Sequence, residues 1–163
     1  MPIHTLHTID FIEARELAAH VRNEVGIDGD LPVATAVLDA FGGTLLTERP
    51  SNSIKAMSID NALRKGWTVL EFLRATVKFR FKQNDEGLWV PAGDDGWSQI
   101  DIDHALARDS RFCTWAGGIP LIKEIEGTRY TVGALAASNR EELQDHDLVV
   151  RAAKQAGFVV EGL

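Results

Sequence analysis

Lys65 and Thr68 form a pair of side chains whose types and spacing could bind an anion. They lie one turn apart on a predicted helix, on the side that faces away from its apolar stripe. A lysine beside a polar partner can bind a carboxylate through a charge-assisted hydrogen bond. A solvated helix face would carry the same residue types and is the more common arrangement, so both interpretations stay open.

Gly117 and Gly118 form a second candidate site, within the stretch TWAGGIPLI at 114–122. Glycine lets a ligand come close to the backbone, so these two amides could approach an anionic group. The same pair could simply make a tight turn into the strand that begins with Ile-Pro-Leu-Ile. The two interpretations are equally supported by the sequence.

Two acidic stretches that contain histidine have residue types that bind divalent metals. In the first, Asp101, Asp103 and His104 have no second cluster at a recognised spacing, and the pattern favours a capped helix start. In the second, at 145–147, His146 lies near the edge of an apolar stripe. There we expect a partly buried histidine whose hydrogen bonds are satisfied.

Cys113 is the single cysteine, so the chain forms no internal disulfide, as is usual in a reducing cytosol. Its apolar neighbours favour a small core residue. A nucleophilic cysteine would need a nearby base, and the sequence does not supply that geometry.

Composition and charge restrict the class of protein. The chain has 163 residues, a length that fits one domain over 1–163, and 24 acidic against 17 basic residues give a net charge of -7. This balance argues against a nucleic-acid partner, because phosphate-backbone binders are normally basic. The N-terminus has no signal-peptide pattern, and no apolar stretch approaches the roughly 18 residues of a membrane span. We therefore expect a cytoplasmic protein without a membrane partner.

Hydrophobic periodicity predicts an α/β (α+β) fold, in which two hairpins form a mostly antiparallel sheet flanked by helices. Gly66 lies on an apolar helix stripe, where close packing must offset its low helix propensity. Pro120 lies near a predicted strand start, which is one of the few places where a sheet tolerates proline. The predicted elements are a helix that Asp10 and Glu13 cap, strands at 32–39 and 44–48, a helix over 53–76, a hairpin at 77–82 and 88–90, a short helix at 101–109, strands at 118–126 and 128–137, and a helix that Asn139 caps and Gly157 ends. For the hairpin that begins at 77, the fraying end of the preceding helix would fit nearly as well.

Four of these segments, in order, resemble a known family. The stretch 58–76 resembles a helix pattern of Lys-Ala-x-Thr-Ala followed by Phe-x-Arg-x-Thr. The matching residues are Lys65, Thr68, Phe72, Arg74 and Thr76. The first hairpin at 33–46, the Gly-Gly-x-Pro strand start at 116–122 and the last strand and helix at 132–153 are also similar. The chain thus resembles the GlcG/HbpS-like haem-binding or "haem-degrading" domains, which include the C-terminal domain of PduO-type proteins.

The resemblance implies a profilin-like α/β fold that assembles into homo-oligomers, and haem binding in some members. A histidine on the first helix is the iron ligand in some members, which implies His20 as the haem and metal ligand here. On a helical wheel His20 lies about 120° from the centre of the apolar stripe, so a haem there would lie at a surface or a subunit interface. A solvated histidine is the alternative. The resemblance also implies that Lys65 and Thr68 could bind a haem propionate.

The middle of the chain, at about 77–112, departs from the family pattern and is predicted to be an insertion with its own aromatic residues. Three functions remain open. The first is a module that binds haem or another small ligand without turnover. The second is an enzyme on the same scaffold, acting on a small carboxylate or aromatic metabolite near the Gly-Gly turn and the long helix. The third is a protein that serves only assembly.

Overall fold

The computed structural model of the protein describes residues 7–163, apart from the side chain of Arg108. This part of the chain has mixed α/β structure, as predicted. The helices are α1 (Phe11–Asp28), α2 (Met57–Phe72), α3 (Gln99–Arg108) and α4 (Glu142–Gln155), and the strands are β1 (Ala34–Asp39), β2 (Thr44–Glu48), β3 (Phe81–Gln83), β4 (Trp89–Pro91), β5 (Gly118–Ile125) and β6 (Thr128–Ser138).

The main sheet has four antiparallel strands in the order β2-β1-β6-β5, and β3 pairs with β4 in a separate small hairpin. Pro120 lies in β5, an outer strand of the sheet, opposite Ala134 of β6. Because β5 begins at Gly118, the predicted position of Pro120 near a strand start is confirmed. An outer strand also tolerates the missing N–H of proline.

Helices cover both faces of this sheet. On one face α2 packs against the strands through a cluster that includes Leu38, Val69 and Ala134. On the other face α1 and α4 bury a larger cluster that includes Leu17 and Leu148. The described chain therefore has three layers, with α2 on one side of the sheet and α1 with α4 on the other.

At Gly66 the helix α2 packs closely against the sheet. A methyl group at this position would lie 2.5 Å from Cδ1 of Leu38, which is fully buried in β1. Close packing therefore explains the glycine on the apolar stripe, as the sequence predicted.

None of the described helices has the length and apolar character needed to cross the membrane.

The start of α1 is also as predicted. The carboxylate of Asp10 accepts a hydrogen bond from the Glu13 amide, and the Glu13 side chain accepts one from the Asp10 amide. This reciprocal pair satisfies two amides that the first turn of a helix leaves unpaired. At the other end Gly29, with a φ of 61°, closes the helix in the left-handed region.

Two local predictions were wrong. Residues Thr76–Phe79 form a short 3₁₀ helix, and the first strand of the middle hairpin begins only at Phe81. The side chains of Thr76, Val77 and Phe79 are all buried there, so the alternating pattern did not mark a strand with one exposed face. Asn139 does not cap α4, because its side-chain amide instead donates to the carbonyl of Pro32 at 2.7 Å.

Candidate functional site

Lys65 is buried in the protein, with only 2% of its surface exposed. Its Nζ donates to the carbonyl oxygen of Ala137 at 2.8 Å and to Oδ2 of Asp145 at 3.2 Å. A solvated helix face is therefore the wrong interpretation of this residue. Lys65 does bind a carboxylate, and that carboxylate belongs to the same chain.

The lysine reaches its partner around the end of the sheet. Lys65 belongs to α2 and Asp145 to α4, on opposite sides of the strands. The Nζ passes beside Gly117, where an added Cβ would lie 2.9 Å from it and 2.7 Å from the carbonyl oxygen of Ala137. Gly117 has a φ of 119°, a backbone conformation that favours glycine.

Gly118 also lies close to α2. A Cβ there would lie 3.0 Å from the carbonyl oxygen of Lys65. Its amide donates to Oγ1 of Thr76 at 3.0 Å. Both glycines are buried, and Lys65 lies close to each of them, with its Nζ beside Gly117 and its carbonyl oxygen beside Gly118.

Burial determines the electrostatics of the Lys65–Asp145 pair. Desolvation raises the pKa of Asp145 to about 6, although the charge and hydrogen bond of Lys65 and the amide of Arg140 act in the opposite direction. At neutral pH the carboxylate is mainly ionised and neutralises the buried ammonium group. A buried pair of this kind holds two layers together, because removing either partner leaves the other charge without compensation.

Thr68 lies in the same buried region, and its side chain forms hydrogen bonds with the backbone of two other residues. Its Oγ1 accepts from the amide of Cys113 at 2.8 Å and donates to the carbonyl of Arg64 at 2.7 Å. Cys113 is buried as predicted, and desolvation raises the pKa of its thiol. The hydroxyl of Thr68 thus anchors the segment that leads into the Gly-Gly turn.

His20 lies apart from the other predicted site residues. It is half-buried on α1, the helix on the opposite face of the sheet from α2. Its helix neighbours Ala19 and Asn23 are exposed. No hydrogen bond or ion pair to the His20 imidazole is found within residues 7–163. The structure thus brings Lys65, Thr68, Gly117 and Gly118 together but leaves His20 as a separate surface group.

The acidic stretch at 101–104 lies in the first turns of α3, so the expected capped helix start is confirmed. The Ser98 side chain accepts from the amide of Asp101, whose carboxylate accepts from the Ser98 amide. Among the described residues no group of three potential metal ligands lies close enough together to hold an ion.

His146 of α4 differs from expectation, because it is almost fully buried and its Nδ1 has no hydrogen-bond partner within the described chain.

A cleft of about 350 Å³ opens between α2, α3 and the segment before the Gly-Gly turn. Ile102 and Leu106 of α3 and the half-exposed Trp115 give it apolar walls, and Arg64 and Arg80 supply positive charge. We refer to it as the α3 cleft. Such a combination can hold a small planar molecule that carries a carboxylate.

Each guanidinium of the α3 cleft already has one carboxylate partner. Arg64 lies 3.0 Å from the carboxylate of Asp60, and Arg80 lies 3.1 Å from that of Glu142. Arginine has five N–H donors, so these single contacts leave donors for a ligand. The Glu142 carboxylate also accepts from the amide of Ala116, which ties the cleft to the Gly-Gly turn.

Comparison with known proteins places the chain in a family. The model of the haem degrading protein HbpS-like family matches residues 9–154. The chain belongs to this family. Sequence resemblance predicted the same group, and the family match confirms it. No curated protein matches the chain.

Solved structures show the same fold for this HbpS-like protein. ORFY from Klebsiella pneumoniae matches with a TM-score of 0.74 and 22% identity, over 98% of each chain. The PduOC–haem complex matches with a TM-score of 0.70 and 19% identity, over 93% of this chain and 97% of that one. A double mutant of HbpS from Streptomyces reticuli matches with a TM-score of 0.69 and 19% identity, over 95% and 91%.

Sequence analysis missed three residues of the candidate sites. Asp145 is the partner of Lys65, and 79 residues separate them in the sequence, so no local pattern indicates the pair. Only the packing of the two helices in the fold brings the side chains together. Arg80 and Trp115 line the α3 cleft. The aromatic content of 77–112 is a signal for a pocket, although it does not give the lining positions, and Trp115 lies outside that segment.

Proposed function

We propose that this HbpS-like protein binds haem through His20 and acts as a binding module without turnover. The observation that carries the proposal is the family match over 9–154, together with a half-buried imidazole on α1 that has no polar partner among the described residues. An axial imidazole is one of the common haem-iron ligands.

The residues around His20 fit the iron but only part of the porphyrin. His20 offers a ligand nitrogen, and Ile27, two turns further on the same side of α1, is 69% exposed. Glu16 and Asn23, one turn to either side of His20, are polar and exposed. Because a porphyrin has two large apolar faces, a second copy of the chain would have to cover the ring. This argument supports a homo-oligomer. When bound, haem would supply ligand-binding and redox chemistry at its iron, and the chain would supply the imidazole.

A haem titration of the purified apo protein tests this proposal. We expect a saturable, shifted Soret band that is lost in His20→Ala. His104→Ala is the matched control, because His104 is another accessible histidine, on α3, and its loss should leave the band unchanged. A band that persists in His20→Ala, or one that never saturates, would contradict the assignment. Light scattering with and without haem tests the role of a second copy.

The α3 cleft supports a second candidate function, the binding of a small aromatic carboxylate. Its location between α2, the 77–112 segment and the Gly-Gly turn is the one that the sequence suggested for an enzyme. Cys113 also lines this cleft, but burial raises the pKa of its thiol, so the protonated form predominates at neutral pH. The cleft therefore favours binding over nucleophilic catalysis by this cysteine.

A thermal-shift titration with benzoate tests the second candidate. A ligand that binds only the native state raises the melting temperature, so we expect stabilisation by benzoate and none by benzyl alcohol. Arg80→Met should remove the benzoate effect, whereas Arg129→Met, on the exposed end of β6, should not. Equal shifts for both compounds would rule out recognition of the carboxylate.

A further inference from the structure

A second cleft, unrelated to the α3 cleft, lies between α4, the β3–β4 hairpin and the C-terminal residues. Its volume is about 560 Å³. The walls are largely apolar and come from three parts of the chain. They include Trp89 of β4, Leu143, His146 and Val150 of α4, and Val160 and Leu163 near the C-terminus. We refer to it as the His146 cleft.

His146 is the unusual group in this wall. It is only 2% exposed, and its Nδ1 is buried without a hydrogen-bond partner in the described chain. The ring packs edge-on against Trp89, with centroids 5.2 Å apart and an angle of 83° between the planes. Neither ring nitrogen forms a hydrogen bond within residues 7–163. Buried polar groups in native proteins are nearly always paired, so an imidazole without a hydrogen bond in the wall of a cleft can take a partner from outside the chain.

The charges around the cleft define the kind of partner. Burial, and to a lesser extent the charge of Lys78, lowers the pKa of His146 to about 4, so the imidazole is neutral at pH 7. Lys78 itself donates to the carbonyl of Gly162 at 3.0 Å and does not line the cleft. The charged side chain that does line it is Asp147, which disfavours an anionic ligand. A neutral imidazole offers one donor and one acceptor.

We propose that the His146 cleft binds a neutral aromatic molecule that carries one hydroxyl or N–H group, which forms a hydrogen bond with the imidazole. The apolar walls would cover the ring, and Trp89 would contact it. Nothing in this inference depends on haem, because the cleft does not include His20.

Three naphthalene derivatives of similar shape test the inference on the haem-free protein. 2-Naphthol carries the hydrogen-bond donor, 2-methoxynaphthalene lacks it, and 2-naphthoate is an anion. Binding is followed by the indole N–H resonance of Trp89, assigned with Trp89→Phe. Because one hydrogen bond is expected to be worth roughly a two- to tenfold change in affinity, 2-naphthol should bind severalfold more tightly than its methyl ether. 2-Naphthoate should bind most weakly.

Variants locate the contact. His146→Phe should reduce the affinity for 2-naphthol to that of the ether and leave the ether unchanged. Asp147→Asn, at an exposed position of α4, should strengthen 2-naphthoate binding without altering 2-naphthol. Val150→Trp, which fills the cleft, should abolish all three. Equal affinities for 2-naphthol and its ether in the wild-type protein, or binding that survives Val150→Trp, would overturn the inference even if His146→Phe does not fold.

Discussion

Lys65 and Asp145 belong to helices on opposite faces of the sheet, yet the lysine Nζ lies 3.2 Å from the aspartate Oδ2. Both side chains are 2% exposed. The ion pair therefore connects α2 to α4 around the end of the strands, at the point where Gly117 leaves room for the ammonium group. This connection, rather than an open anion site, is the role that the structure gives to the lysine.

Removal of one partner should be more harmful than removal of both. We expect Lys65→Met and Asp145→Asn each to lower the free energy of unfolding by about 3–5 kcal/mol, because each leaves an uncompensated buried group. The double variant Lys65→Met with Asp145→Leu should recover a large part of that loss, since no buried charge remains. Urea denaturation at pH 7 measures all three. A double variant as unstable as the sum of the single ones would show that the two side chains are not coupled.

Asp145 and His146 should affect the pH dependence of stability with opposite signs. Burial raises the pKa of Asp145 to about 6, so the folded chain binds that proton more tightly, and stability falls as the pH rises from about 4 to about 6. Burial lowers the pKa of His146 to about 4, so the unfolded chain binds that proton more tightly, and stability rises between about pH 4 and 6.5. Each contribution is about 3 kcal/mol, from roughly 1.4 kcal/mol per pKa unit.

Variants separate these two contributions. In His146→Phe the stability should fall more steeply than in the wild type from pH 4 to pH 6. In the Lys65→Met, Asp145→Leu double variant it should rise more steeply. Urea midpoints at four pH values provide the comparison, and differences between variants cancel the other carboxylates. Parallel curves for all three proteins would show that neither group titrates differently in the folded state.

Gly117→Ala should be strongly destabilising. Its φ of 119° is unfavourable for alanine, and the new Cβ would lie 2.8 Å from Cβ of Asp145 and 2.9 Å from Nζ of Lys65. Loss of more than about 3 kcal/mol is expected, the size of other disruptions of buried ion pairs. Gly26→Ala is the matched control. Gly26 lies inside α1 with no atom within 4 Å of an added methyl group, so that variant should gain about 0.5–1 kcal/mol. Thermal unfolding of the two variants decides the issue.

The amides of α3 should exchange with solvent much faster than those of α2. Among the described side chains of α3 only Ala105 is buried, and Ile100 is 66% exposed. α2 instead buries a run of residues against the sheet. Local opening costs less free energy where few apolar contacts must break. Hydrogen exchange measured by mass spectrometry at pH 7 should show the difference, and benzoate should slow exchange in α3 if it binds the α3 cleft. Equal protection of both helices would contradict this prediction.

Local sequence patterns were sufficient for much of the fold. The Asp10–Glu13 cap has its cause within a few residues, so spacing alone predicts it. Helical spacing also places Gly66 on the α2 stripe, although the side chain that packs against it, Leu38, comes from β1. The element boundaries at 76–83 could not be predicted in this way, because the burial of Thr76 and Val77 depends on tertiary packing.

The candidate sites were less accessible to sequence analysis. A helical wheel places Lys65 away from the apolar stripe, and it cannot show that this side of α2 passes the end of the sheet beside α4. The unpaired imidazole of His146 is a similar case, since it is buried only because the β3–β4 hairpin packs on α4. Both features depend on contacts between residues that are distant in the chain.

Pro120 also has a consequence for how copies of this protein can associate. An outer strand with free backbone groups is a template on which another chain can add a strand, which leads to aggregation. In β5 this template is interrupted, because Pro120 has no N–H and the carbonyl of Ile122 already accepts from the amide of Val159 at 2.9 Å. Strand addition by another chain is therefore obstructed at this edge of the sheet, around Pro120 and Ile122.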